Sequence, residues 1–152
     1  MSANSWLTWL VIAGCITACS TTPETQSNKQ VVDIPLAASP QNKGEVARAT
    51  LAAQGDETGM LFFISGVPTG TTLPVRLYTY IYPGSCGALG AKPAYEMNKT
   101  VITDRLANEA AGLTLSRKAP VALNVLRSNG YAIVVRTSPQ DGHLDIFCGN
   151  IT

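Results

Sequence analysis

Histidine and charged residues are scarce in this sequence of 152 residues. Charged side chains make up 14% of it, the net charge is +1, and no segment clusters lysine with arginine. Nucleic-acid binding, which needs a concentrated positive surface, is therefore not expected. The one histidine, His143, cannot supply a metal centre that needs several imidazole ligands. Gly-x-Ser-x-Gly and phosphate-loop patterns are also missing, so the common hydrolase and nucleotide-binding signatures do not favour an enzyme.

The N-terminal residues have the pattern of an export signal. Residues 6–18 (WLTWLVIAGCITA) form an uncharged apolar run with the length of a secretory signal core, too short to span a bilayer. The run leads into ITAC at residues 16–19, which resembles the lipobox of bacterial lipoproteins. IAGC at residues 12–15 fits the same pattern, but cleavage before Cys15 would leave a very short signal. Cys19 is therefore the preferred lipidation site.

The lipobox resemblance implies a membrane-attached protein. Residues 1–18 would be the signal peptide, and Cys19 would carry the lipid at the mature N-terminus. Ser20 follows the cysteine, which resembles the pattern of lipoproteins sorted to the outer membrane, with the domain facing the periplasm or the cell surface. Residues 19–30 are polar and without period, which predicts a flexible tether. The folded domain is expected at residues 31–152.

The remaining chain alternates short apolar runs with turn-forming residues, which is typical of an all-β domain. A helix is predicted only at residues 104–111, and the pair Asn129-Gly130 predicts a tight hairpin turn. The spacing favours a Greek-key β-sandwich or flattened barrel of about seven to eight antiparallel strands. The predicted strands are residues 31–36, 45–53, 59–65, 73–82, 100–103, 121–127, 131–137 and 144–148.

The cysteine count predicts one disulfide. Of the four cysteines, Cys15 would leave with the signal peptide and Cys19 would carry lipid. Cys86 and Cys148 then remain as a pair in an oxidising compartment, where such a pair is expected to be oxidised.

Three tyrosines alternate along the stretch LYTYIYPGSCG at residues 77–87. In a strand, Val75, Leu77, Thr79 and Ile81 would face the core, and the residues between them would face the other way. Two interpretations of the second set stay open: an aromatic ladder that stabilises the sheet, or a half-buried binding surface with free phenol oxygens. The residues of this candidate binding surface are Arg76, Tyr78, Tyr80 and Tyr82.

The order of several short motifs resembles the copper/zinc superoxide dismutase-like superfamily. SGVPTG at residues 65–70, GSC at 84–86 and CGNI at 148–151 occupy the places of that family's Ser-Gly-(Val/Leu)-Pro-x-Gly loop, Gly-x-Cys and C-terminal Cys-Gly-x-Ile. The resemblance covers roughly residues 43 to 151. It implies a Greek-key barrel closed by a disulfide between the last two cysteines.

The metal ligands of that family are missing. Where the family has His-x-His, this chain has Tyr80-Ile81-Tyr82, and Asp145 stands where the family has an arginine that attracts superoxide. Imidazole nitrogen is the ligand that copper and zinc favour, and an aspartate would repel the anion. Dismutase activity and a metal cofactor are therefore not expected.

These observations favour a non-catalytic, lipid-anchored envelope protein that uses a degenerate dismutase-like barrel as a binding or structural module. Its expected partners are the membrane, through the lipid, and another envelope protein. Two alternatives stay open: a metal-binding or dismutase-type enzyme with residual activity, and a periplasmic inhibitor, for example of lysozyme. His143, in the loop before the last strand, is expected at the surface, and the adjacent Asp56 and Glu57 are expected to be solvated.

Overall fold

The computed structural model describes residues 30–105 and 112–152. Within them the chain forms a ten-stranded sheet in which all neighbouring strands are antiparallel. No helix in these two ranges is long and apolar enough to cross a membrane. The helix α1 spans Leu123–Ser128. The strands are β1 (Val31–Ala38), β2 (Ala47–Gln54), β3 (Glu57–Ile64), β4 (Tyr78–Ser85), β5 (Ala88–Leu89), β6 (Tyr95–Glu96), β7 (Asp104–Arg105), β8 (Leu113–Ala119), β9 (Tyr131–Arg136) and β10 (Asp145–Ile151).

The sheet curls into two layers that share one core. The order β8-β3-β2-β1 makes one layer, and β10-β9-β4 makes the other. β1 joins them, because its residues 31–36 pair with β2 while Ala37 and Ala38 pair with β10. The connections from β3 to β4 and from β8 to β9 cross between the layers. The predicted Greek-key sandwich or flattened barrel is thus confirmed, with seven strands of six to eight residues as its body.

Alternating side chains fill the space between the layers. Every second residue is buried along β3, and in β2 from Ala47 to Leu51, as the two-residue period of a strand requires. β9 is buried at four consecutive positions because side chains cover both of its faces. The largest fully buried apolar side chains are Ile34, Leu51, Phe62, Ile64, Leu77, Ile81, Leu115, Leu123, Leu126, Ile133, Ile146 and Phe147.

The joint between the layers depends on a close backbone approach and a covalent link. A Cβ at Gly149 of β10 would lie 2.5 Å from Leu36 Cδ2 and 2.6 Å from the Pro35 carbonyl oxygen of β1. Glycine is therefore the residue that lets β10 lie against β1. One residue earlier, Cys148 forms a disulfide with Cys86, at an S–S distance of 2.06 Å, as the cysteine count predicted.

Residues 121–127 are not a strand, so this prediction is wrong. They contribute most of α1, in which Leu123 and Leu126 are buried at the three-residue spacing of a helix face. The predicted hairpin turn at Asn129-Gly130 is also wrong. Asn129 is the residue at which the helix ends, and Gly130 takes a positive φ of 65° where the chain turns into β9.

β8 was not predicted, because Arg117 occupies one of its inward positions and interrupts the apolar alternation. Residues 100–103 contain only an isolated bridge between Ile102 and Arg76, not a strand. Of the predicted helix at 104–111, the first two residues form β7 and the others lie outside the described residues. The predicted signal peptide at residues 1–18, Cys19 and the tether up to residue 29 lie outside them too.

Candidate functional site

β4 directs its tyrosines away from the main core. Thr79 and Ile81 are fully buried between the layers, whereas Tyr80 and Tyr82 belong to a second, smaller cluster with Val134 on the outer side of the sheet. Regular strand geometry begins only at Tyr78. We call this outer surface of β4, β9 and β10 the tyrosine face, defined by Tyr78, Tyr80, Tyr82, Arg136, His143 and Asp145.

The outward tyrosines are more enclosed than the sequence suggested. Tyr80 and Tyr82 are 7% and 6% exposed, and Tyr78 is half-buried. Directly opposite Tyr80 and Tyr82 on β9 stand the small residues Val134 and Ala132. These neighbours are smaller than tyrosine, and Val134 packs in one cluster with both rings.

Arg136 lies over the tyrosines and links three strands. Arg136 lies on β9, directly opposite Tyr78 of β4 on one side and Asp145 of β10 on the other. Its guanidinium carbon is 5.0 Å from the ring centroid of Tyr80 and 5.3 Å from that of Tyr82, within cation–π range. Nη1 donates a hydrogen bond to the Tyr82 hydroxyl at 2.9 Å, and Nε donates to Asp145 Oδ1.

The bonds of Arg136 keep it charged despite its partial burial. Burial lowers the pKa of its guanidinium, but the hydrogen bond and negative charge of Asp145, with the Tyr82 hydroxyl, outweigh burial and raise it above the ordinary value. The cation over the rings is therefore permanent at physiological pH.

His143 covers the other end of the tyrosine cluster. Its Nε2 lies 3.1 Å from the Tyr80 hydroxyl, and its ring meets that of Tyr78 edge-on with centroids 5.9 Å apart. The residue has a positive φ of 52°, and its amide donates to the Ser138 carbonyl at 3.0 Å. It is exposed, as expected, yet its imidazole is engaged with the tyrosines.

The Tyr80 hydroxyl keeps its proton at neutral pH. Burial raises the pKa of this phenol above its ordinary value, and the negative charge of Glu96 on the neighbouring β6 adds to the effect. The positive charge of Arg136 opposes both without reversing them. A neutral phenol donates and accepts hydrogen bonds, but it is a poor metal ligand and a poor base.

Arg76 lies at the end of the tyrosine face and not within its contact network. It forms the isolated bridge with Ile102, which is 60% exposed. Nearby, the Asp141 carboxylate accepts hydrogen bonds from Ser138 Oγ at 2.6 Å and from the Thr72 amide and hydroxyl at 2.9 and 2.7 Å. These bonds, with a smaller contribution from the charge of Arg76, lower the Asp141 pKa.

Sequence reasoning missed that Arg136, His143 and Asp145 join the tyrosines. The sequence shows that Arg136 and Asp145 stand at strand ends, but their contact depends on the register between β9 and β10, which contains a bulge. Glu57, expected to be solvated, forms an ion pair of 3.0 Å with Lys118. Within residues 30–105 and 112–152, no three His, Cys, Asp or Glu side chains are grouped so as to hold a metal ion.

The fold and this face define a disulfide-linked, all-β domain that carries an arginine-capped aromatic surface. Comparison of the chain with protein-family models, with curated proteins and with solved structures yields no match.

Proposed function

We propose that the protein is a non-catalytic binding module of the bacterial envelope, anchored by lipid at Cys19, and that it binds another envelope protein through the tyrosine face. The observation that carries this proposal is the layer formed by Arg136 over Tyr80 and Tyr82. The two rings are nearly buried and hold the half-buried Arg136 in place beside the half-buried Tyr78, and arginine and tyrosine are residue types that dominate binding energy at protein interfaces.

The rim of the tyrosine face supports the proposal. Tyr78 is partly accessible beside His143, and Ile102 lies across the bridge from Arg76. Ile102 is 60% exposed, although it is a large apolar residue. An accessible apolar side chain next to ordered aromatic and arginine side chains matches the residue types that are enriched in protein interfaces.

The chemistry of the face supports binding over catalysis. The side chains that could take part in a reaction are bonded to each other: His143 to Tyr80, and Arg136 to Tyr82 and Asp145. The Tyr80 phenol is protonated, and Cys148 beneath the face is held in the disulfide. A partner can contact this surface without any of these bonds being broken.

A photo-crosslinking amino acid placed at Ile102 tests the proposal in intact envelopes of cells that express the full chain. We expect a discrete protein adduct from position 102, because this side chain lies at the rim of the proposed interface. Leu61 on β3 is the matched control, since it is 53% exposed on the opposite layer. Equal adducts from both positions, or adducts from position 61 alone, would contradict the proposal.

A further inference from the structure

The barrel is open along one side of β8. β3 pairs with β8 along its whole length, but on the other side the described residues pair only with Leu113 and Thr114, through β7. The chain just before β7 turns towards the other layer, where the Leu77 amide donates to the Val101 carbonyl at 2.8 Å and the Thr103 amide to the Val75 carbonyl at 3.3 Å. A wedge therefore opens between β8 and the segment 96–103.

Arg117 of β8 occupies the floor of this wedge. It is 8% exposed, and its guanidinium donates to Thr79 Oγ1 at 3.1 Å, to the Leu77 carbonyl at 3.1 Å and to the Ser116 carbonyl at 2.8 Å. All three acceptors are uncharged. Among the described residues no carboxylate forms an ion pair with Arg117. Because arginine stays protonated in proteins, this nearly buried positive charge has no counterion among residues 30–105 and 112–152.

The backbone of β8 has free hydrogen-bonding groups on the wedge side. The Ser116 carbonyl accepts a hydrogen bond from Nη1 of Arg117, and Nη2 of the same side chain donates to the Leu77 carbonyl on the far side of the wedge. The Ser116 carbonyl therefore points into the wedge and not towards β3. In an antiparallel ladder the amide and carbonyl of one residue point to the same side, and alternate residues share a side. The amides of Ser116 and Lys118 thus face the wedge, where the described residues provide no backbone partner.

The wedge is a cleft of about 480 Å³, within the usual size of ligand sites. Lys118 on its wall is already paired with Glu57. The remaining charges are those of Lys99 and Arg117 against Glu96, so the cleft has an excess of positive charge. Its lining residues are Glu57, Glu96, Met97, Lys99, Thr100, Ser116, Arg117, Lys118 and Pro120.

We propose that this cleft binds an extended peptide segment that carries a carboxylate side chain. The peptide backbone adds a strand to the free edge of β8 at Ser116 and Lys118, as in other complexes formed by strand addition. Its inward carboxylate then faces Arg117 and supplies a counterion that the described part of the chain does not, in a charge-assisted hydrogen bond. This site is separate from the tyrosine face, which lies on the outer side of β4, and either proposal can fail without the other.

Two blocked pentapeptides, TVEVT and its glutamine counterpart TVQVT, test the inference with the isotopically labelled protein. We expect TVEVT to shift the amide NMR signals of residues 96–100 and 115–119 and to bind about tenfold more tightly than TVQVT, as expected for a hydrogen bond to a charged group. The ratio of the two affinities, TVEVT over TVQVT, should fall as salt is added, because salt screens the charge interaction.

Ser116→Pro is the informative variant, because it removes an amide that faces the cleft and no bond to β3. Proline is tolerated at an edge strand when the lost amide faces outward. Ser116→Thr, which keeps the amide, is its control. We expect Ser116→Pro to abolish TVEVT binding, with the spectrum otherwise preserved, and Ser116→Thr to bind normally.

The inference would be overturned by TVEVT causing no shift of residues 96–100 and 115–119, by equal binding of the two peptides, or by unchanged TVEVT binding to Ser116→Pro. Concentration-dependent shifts of residues 115–119 without any peptide would also overturn it, since they would assign this edge to a second copy of the chain.

Discussion

At the scale of single residues, Arg136 determines the character of the tyrosine face. Its ion pair with Asp145 is partly solvated, with side chains 20% and 47% exposed, so that pair alone contributes little to stability. The contacts with the rings of Tyr80 and Tyr82 contribute on the order of 1 kcal/mol. Their larger effect is geometric, because one cation fixes two rings in a single arrangement and reduces the conformational entropy that binding would cost.

Asp141 anchors the loop that carries His143, and its charge makes that anchor sensitive to pH. Its hydrogen bonds from Ser138 and Thr72 hold the folded-state pKa below the ordinary value. The stabilisation is therefore present above the unfolded pKa of about 3.9 and is lost as the pH falls through the folded pKa.

We expect Asp141→Asn to melt below the parent protein at pH 6 and the difference to be smaller at pH 2, in thermal unfolding followed by circular dichroism. Asp56→Asn, in the exposed turn between β2 and β3, is the control and should leave the melting temperature almost unchanged. A gap between Asp141→Asn and the parent that is equally large at both pH values would contradict the assigned role of the carboxylate.

At the scale of elements, local patterns predicted the strands better than the contacts between them. The alternation in β4 separated Thr79 and Ile81 from the tyrosines, because one face packs against an apolar core. β8 was hidden because Arg117 takes an inward position, which is possible only where carbonyls of another layer receive its guanidinium. Such partners come from tertiary structure, and no local pattern contains them. The same holds for Arg136 and Asp145, which meet through a bulged register.

The close approach of β10 to β1 gives a test at this scale. Gly149→Ala would place a methyl group against the Leu36 side chain and the Pro35 carbonyl, and we expect overpacking to lower the free energy of unfolding by about 1–3 kcal/mol. Urea denaturation measures this change. Gly87→Ala is the control, because the nearest atom to its new Cβ would be 4.0 Å away and its change should stay within about 0.5 kcal/mol. Equal stability of the two variants would show that the layers do not depend on this contact.

At the scale of the whole molecule, two features join the layers and one side stays open. β1 passes from one layer to the other, and the disulfide links residues separated by 62 positions. Closing a loop of that length contributes about 4 kcal/mol in the chain-entropy picture. At the open side, the layers meet through Arg117 and the segment before β7. The molecule therefore offers two surfaces of different chemistry, an aromatic face on one layer and a positively charged cleft at the opening.

A quantitative pull-down from the native envelope is the most direct test of whether the tyrosine face binds an envelope protein. The full-length parent protein, the double variant Tyr78→Ser/Ile102→Ser and the control Leu61→Ser would be compared at equal abundance. We predict that a partner recovered with the parent and with Leu61→Ser falls at least about tenfold with the double variant, because Tyr78 and Ile102 are the accessible aromatic and apolar side chains of this surface and both are truncated. Equal recovery with all three proteins would contradict the account.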